Sequence, residues 1–340
     1  MVRKGSLPER DQEVLQAVVE QYISTAGPVG SLDVSRGQKV SSATVRNAMA
    51  RLEAEGYLLS PHASAGRMPT HRGVRYYLDT LMPQRRLTAK DRSRVVERVL
   101  PDAGEGLAQS AARGLAEMAS QIGILAPPRA ASTQVGHIEF IRVASQRFAA
   151  VMVMRDGNVQ HRVVSVRFDL EARELERINA YAREMASGTL SEIRERIASE
   201  LQRERAREDS LYRQALELGQ LGTDAAGPEL VVEGAARCFM HPEFATDTER
   251  MRQVLRALEE KALLLELLDR VAARGVTLGE ELGDERLQGM AVVAAGYTTA
   301  SGGHGVIGLL GPMRMDYARL VPLVEFSAQA MTKHLLGTDE

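Results

Sequence analysis

The chain predicts an α+β multidomain protein, with an N-terminal winged helix-turn-helix followed by a mixed α+β module that carries a helical insertion. Three observations lead there. Residues 41–81 set helical apolar spacing ahead of a glycine- and proline-rich stretch and a further short helix, the layout of a DNA reader. Farther on, apolar runs near 134–144, 147–154 and 158–167 are joined by the short turns ASQ and RDGN, and Asp-Gly between apolar runs is a hairpin signal. Between these and two more strands near 288–298 and 304–311, a block at roughly 187–228 has helical periodicity, which reads as an insertion.

Composition bounds the classes. With 340 residues, 44% hydrophobic and 26% charged, the chain has material for two or three domains. No apolar run approaches the ~18 to 20 residues of a membrane span, and MVRKGSLPER lacks a signal peptide's apolar stretch, so a cytoplasmic location is expected. The single Cys238 forms no intramolecular disulfide and cannot build a cysteine metal cage. The formal charge of −2 is unevenly divided: residues 1–86 hold 12 Lys and Arg against 8 Asp and Glu, the rest 31 against 37. The basic portion is the one with the DNA-reader layout, although inert domains reach the same balance.

Taken in order, Pro8 is favoured in a first helical turn and opens a helix to Ser24, with Val14, Leu15, Val18, Val19, Tyr22 and Ile23 as its buried stripe. A short helix from Ser31 to Arg36 and a turn lead into the third. There Val45, Ala48, Met49 and Leu52 form the core stripe; Ala43, Arg46, Asn47, Ala50 and Arg51 form the opposite face, and Gly56 ends the helix. Small residues let that face approach base edges, and Arg and Asn suit bidentate contacts to guanine and adenine. Residues 57–59 read as a strand, 60–69 as a loop or wing, and Thr70 caps a helix through Leu81. Residues 84–88 look like a linker, followed by helices at 89–100 and about 106–123, then the three strands. Helices follow near 171–186, 189–207 and 209–221, then a strand, a long helix at about 247–273, the last two strands, and a helix from Asp316. The inserted helix pair carries Leu190, Ile193, Ile197, Leu201, Leu211, Leu216 and Leu218, more apolar residues than two solvated helices need. A second copy of the chain is the expected partner, with Leu190, Ile193, Ile197 and Leu201 as the dimerisation stripe.

The motifs PVGS (28–31), SSATVRN (41–47), PHASAGRMPT (61–70), HPEF (241–244) and VIGLLGPMRMDYARL (306–320) together resemble the heat-inducible transcription repressor HrcA family, over essentially the full length. SLDVSRGQKV (31–40) is shorter than that family's usual second helix and turn, and VVEGAARCFM (231–240) replaces a glycine-threonine-serine run. The resemblance implies a winged-helix domain at 1–82, a linker and helix at 83–105, a GAF-like domain in two parts at 106–186 and 229–340, and an inserted, mainly helical dimerisation domain at 187–228. It also implies a homodimer that binds double-stranded DNA at the inverted repeat called CIRCE, represses chaperone operons, and is kept active by a chaperonin.

Each candidate contact has a plainer alternative. Ser42 and Thr44, with Ser41, could donate to a phosphate at the helix start or simply cap it. Arg46 and Asn47 are the expected base readers, Arg51 lies on the same face, and a solvated polar face is the competing account. His62, Ser64, Gly66 and Arg67 are expected to follow the DNA backbone or a minor groove, against a fixing ion pair from Arg67 to Glu53 or Glu55. Arg72 and Arg75 sit three apart on one helix face and suit phosphate contacts or plain solvation. SGGHG (301–305) lacks the Lys-Ser or Lys-Thr of a phosphate loop, and Cys238 with His241 is only half a metal set. No acid, base and nucleophile set is found, so no enzyme, cofactor or metal is expected; a small-molecule-responsive regulator with an effector pocket in the GAF-like domain is the alternative.

Overall fold

The computed structural model describes residues 7–37, 40–62, 66–83, 85–100, 106–128, 134–155, 159–204, 210–225, 230–245, 247–300 and 303–338. It is a mixed α/β protein that divides into two compact units: residues 1–125, 230–297 and 306–340, and residues 126–229 with 298–305.

The first unit opens with α1 (Glu9–Thr25), α2 (Ser31–Gly37) and α3 (Ser42–Ala54). Their apolar stripes close one core: Val14, Leu15, Val18 and Val19 meet Val34 and Val45, Ala48, Met49 and Leu52. Gly56, at φ +76°, turns the chain out of α3, a left-handed conformation that glycine adopts without steric cost. Two short antiparallel strands follow, β1 (Leu58–Leu59) and β2 (Met68–Pro69), with Leu58 opposite Pro69. Thr70 then caps α4 (His71–Tyr76), accepting the Gly73 N–H at 3.1 Å. The helix expected to reach Leu81 widens into a π turn at Tyr77–Leu81.

A five-stranded sheet forms the rest of this unit. Thr88 caps α5 (Ala89–Val99) in a capping box, and α6 (Leu107–Ala119) ends where Ser120 takes a left-handed φ of +55°. Strand β3 (Ile122–Ala126) follows at once, inside the stretch expected to stay helical to residue 123. All five of its residues are buried, so no alternation marks it as a strand. The remaining strands are β7 (Val231–Glu233), β8 (Val276–Leu278), β9 (Met290–Thr298) and β10 (His304–Pro312), in the order β7-β3-β10-β9-β8. One core joins them to α5, α6 and α14 (Tyr317–Leu336) and takes in Val74 of α4.

Among the described residues, four helices lie between β7 and β8: α10 (Ala235–Cys238), α11 (Pro242–Ala245), α12 (Thr248–Glu259) and α13 (Lys261–Ala272). One long helix was expected over 247–273. It breaks at Glu260 (φ −85°, ψ 78°), whose carboxylate is gripped by both Nη atoms of Arg286 at 2.6 and 3.0 Å.

The second unit contains an antiparallel sheet of β4 (Val135–Ala144), β5 (Arg147–Met154) and β6 (Val159–Ser165), in that order. Helices α7 (Ala172–Met185) and α9 (Ser210–Ala225) pack on one of its faces, and α8 (Leu190–Glu204) packs on α9. This corrects two expectations. Residues 126–186 group with the helical block, so the insertion is α+β and larger than 187–228. Moreover Ile193 and Ile197 are buried within the chain itself, in a core with Phe140, Phe148, Met152, Ile178 and Leu216, and Leu201 packs partly buried against it. The apolar stripe of α8 is therefore buried within its own unit, largely against α9; of the Leu190 side chain nothing is described. Each such buried large side chain contributes about 1.5–3 kcal/mol to the stability of this core.

Among the described residues, no helix is long and apolar enough to cross a membrane.

Candidate nucleic-acid interface

The face of α3 is built by its ends and its core stripe. Ser41 accepts the Thr44 N–H at 3.2 Å, and the Ser41 and Thr44 hydroxyls lie 2.9 Å apart, so both serve the cap. Ser42 sits half-buried at the first helical position. Burial of Val45, Ala48, Met49 and Leu52 forces Arg46 and Asn47 outward, and both are exposed. Among the described residues, neither side chain has a hydrogen-bond or ion-pair partner in the chain.

Arg51 differs. Its guanidinium grips the Asp11 carboxylate with both Nε, at 3.0 Å, and Nη2, and Asp11 in the first turn of α1 is buried. The residue expected on the reading face therefore locks α3 to α1.

The two-stranded hairpin is held at its base. Arg67 and Val29 exchange backbone hydrogen bonds, both at 2.8 Å, which ties the hairpin to the loop between α1 and α2. Gly66 stands where that crossing is tightest. A Cβ there would fall inside the Val29 main chain, 2.8 Å from its nitrogen, so glycine is required by close approach. Gly66→Ala is expected to destabilise the protein by about 1–3 kcal/mol, as overpacking does, measured by urea melts. Arg67 pairs with Glu53 at 2.8 Å and donates to the Ser60 hydroxyl at 3.1 Å, the fixing role weighed as its plainer alternative. His62 is exposed; Ser64 lies outside the described residues.

Arg72 and Arg75 are also taken by the fold. Arg72 donates to the Glu55 carbonyl at 2.8 Å and the Tyr57 hydroxyl at 3.2 Å, with its guanidinium 4.4 Å over the Tyr57 ring. Arg75 makes a bidentate pair with Glu281 and donates to the Val276 carbonyl at 3.2 Å, joining α4 to the β8 end of the sheet. Burial raises the Glu281 carboxyl, but hydrogen bonds from Arg75 and the Leu278 N–H outweigh it and hold the group below its ordinary value.

What remains is a groove of about 460 Å³ between α2, α3 and the hairpin base, lined by Arg36, Arg46, Met49, Gly66 and Arg67 among others. Arg36 was not singled out from the sequence. It lies in the last turn of the short α2, largely exposed and only loosely paired with Asp33 at 3.6 Å. A cation at the end of the helix preceding a recognition helix is the signal that could have found it.

The other tempting motifs are structural. The buried Cys238 thiol, pushed up to about 12 mainly by burial, lies 3.7 Å from the Gln121 amide oxygen, and His241 binds the Ser120 carbonyl at 2.9 Å. Arg314 pairs with Glu243 and donates to the Ile23 carbonyl at 3.1 Å, while Asp316 caps α14.

The family profile "HrcA protein C terminal domain" matches residues 105–321. The chain belongs to the HrcA family. The heat-inducible transcription repressor HrcA of Geobacter sulfurreducens is 36% identical over 97% of this chain and 99% of that protein. The Sorangium cellulosum HrcA is 38% identical over 97% and 98% respectively. A solved crystal structure of a hypothetical protein shares the fold, with TM-score 0.62 at 21% identity over 98% of this chain and all of that one. These HrcA relatives are named heat-inducible transcription repressors, and their match takes in the segment bearing α3 as well as the C-terminal region.

Proposed function

We propose that this HrcA family member is a homodimeric transcriptional repressor of heat-shock genes, in which residues 1–82 form a winged helix-turn-helix that reads an inverted-repeat, CIRCE-type operator in double-stranded DNA. The observation that carries the reading is the face of α3, where Arg46 and Asn47 stand exposed beside a groove shared with Arg36 and Arg67. Asn47 and Arg46 are the base readers; Ser42, Thr44, Arg36 and His62 serve the DNA backbone. Arg51, Arg72 and Arg75 are given to the fold.

The five-stranded sheet and its helices make a GAF-like module, and residues 126–229 are its insertion. The dimer forms through the sheet face of that insertion opposite its helices. There the register puts Ile141, Ala149 and Val163 in one row, and Ile141, Val143, Val159 and Val163 are each 50–55% exposed. Strand β6 is an open sheet edge bearing two of these valines, a surface that pairs with another chain unless blocked. A two-fold dimer matches a palindromic site. A chaperonin keeps the repressor active in the cytoplasm, and folding stress that occupies it releases the operator.

The deciding experiment is a fluorescence titration on an inverted repeat and on scrambled DNA, with salt varied. Preference for the repeat at every salt concentration is expected. Equal binding to both sequences would defeat the reading, because counterion release alone is blind to sequence.

A further inference from the structure

A second cavity, of about 390 Å³, opens between the last turn of α1 and the end of the five-stranded sheet. Tyr22, Phe244, Met290, Met313 and Pro312 give it an apolar wall, and Glu243, Asp247, Arg250, Gln288 and Arg314 give it polar atoms. Most of its charges are already spoken for. Arg314 and Glu243 are a bidentate pair, and Asp247 turns Oδ1 to the Arg250 N–H at 2.9 Å to cap α12. The Arg250 guanidinium is the exception: half-buried in the cavity, it has no carboxylate within ion-pair distance among the described residues.

Its placement depends on a glycine. Gly289 sits at φ +69°, and a Cβ there would meet Arg250 Nη2 at 3.1 Å, so both the backbone conformation and the space for the guanidinium favour glycine. Burial also lowers the pKa of Arg250, with only the through-space charge of Asp247 opposing it. A half-buried cation without a carboxylate partner, beside an open cavity, favours an anion.

We propose that this cavity binds a small anion, a carboxylate or phosphate group, with Arg250 as its charge partner and Tyr22 and Gln288 as further donors. The Tyr22 phenol is protonated and able to donate near neutral pH, and its pKa is raised further by desolvation first and by the Glu243 charge second. The site also reaches the DNA-binding helices. Tyr22 precedes Ile23, whose carbonyl accepts from Arg314, so a ligand here touches the end of α1 and the sheet together. Its effect on operator affinity rests on the repressor reading; its binding does not.

The test is calorimetric titration and thermal melting of the full chain with sodium phosphate and, separately, sodium benzoate, at ionic strength held constant with chloride. Saturable binding and a rise in Tm with at least one of them are expected. Arg250→Gln should weaken it about tenfold or more, Tyr22→Phe about two- to tenfold, and Arg250→Lys less than Arg250→Gln. Arg252→Gln, an exposed control paired with Glu249, should leave it unchanged. Absence of saturable binding by both anions, or equal binding by the Arg250→Gln and Tyr22→Phe proteins, would overturn the site. The binding anion should also shift inverted-repeat affinity in the wild type but not in Arg250→Gln. Should the repeat show no preference over scrambled DNA, the repressor reading fails while the calorimetry still decides the site.

Discussion

Asn47→Ala is expected to lower affinity for the preferred inverted repeat by about 30-fold to 10⁴-fold while leaving binding to scrambled DNA unchanged. The range follows from about 1–3 kcal/mol for one bidentate side chain-to-base pair, counted twice because the proposed two-fold dimer presents two copies of α3 to two half-sites. Asparagine carries no charge, so the slope of affinity against salt should stay as it is. Arg46→Ala differs in a measurable way: a base contact costs selectivity, whereas a phosphate contact flattens the salt slope by about one unit per subunit at little cost in sequence preference. Arg51→Ala is the internal contrast. It strips the partner from the buried Asp11 carboxylate, so its first effect should be a lower Tm. If Asn47→Ala left the ranking of operator variants unchanged, this residue would not be a reader.

These three residues show where sequence stops being legible. Helical spacing placed Arg46, Asn47 and Arg51 on one face correctly, because the buried stripe of Val45, Ala48, Met49 and Leu52 fixes the rotation of α3. Spacing does not reveal which cation is claimed from afar. Arg51 finds Asp11 forty residues away and Arg75 finds Glu281 more than two hundred away, and nothing local separates them from Arg46. Where the alternative partner was near, as Glu53 is for Arg67, it could be named in advance. Strands followed the same rule. β4, β5 and β6 are apolar runs divided by the short turns ASQ and RDGN, so they were readable, as were the apolar runs at β9 and β10. β3 is apolar at every residue and follows a helix directly, so its run extended the helix. The turn at Glu260 depends on Arg286, beyond any helical window.

The largest consequence of that limit concerns the dimer, and paired substitutions separate the two surfaces. Ile193 and Ile197 carry helical apolar spacing that fits either an interface or a core, and their burial within one chain, in the core that also holds Phe140 and Phe148, makes them core. Ile193→Ala is therefore expected to cost about 2–5 kcal/mol of stability in this unit, seen as an earlier unfolding transition, with assembly of the folded fraction unaffected. Ile141→Glu combined with Val163→Glu should do the reverse. Both side chains are half exposed in one cross-strand row of the sheet, so charge there leaves the fold intact and opposes only the joining of two copies. Light scattering should then give the mass of one chain with an unchanged melting curve. Operator affinity should fall by about 10²- to 10⁴-fold, because two half-sites bound by one tethered pair gain an effective concentration that separate chains lack. A folded dimer of the double glutamate variant would exclude this face as the interface. The burial of Ile193 would still bar its stripe from the role, leaving the surface that joins two copies to be sought outside the row of Ile141, Ala149 and Val163.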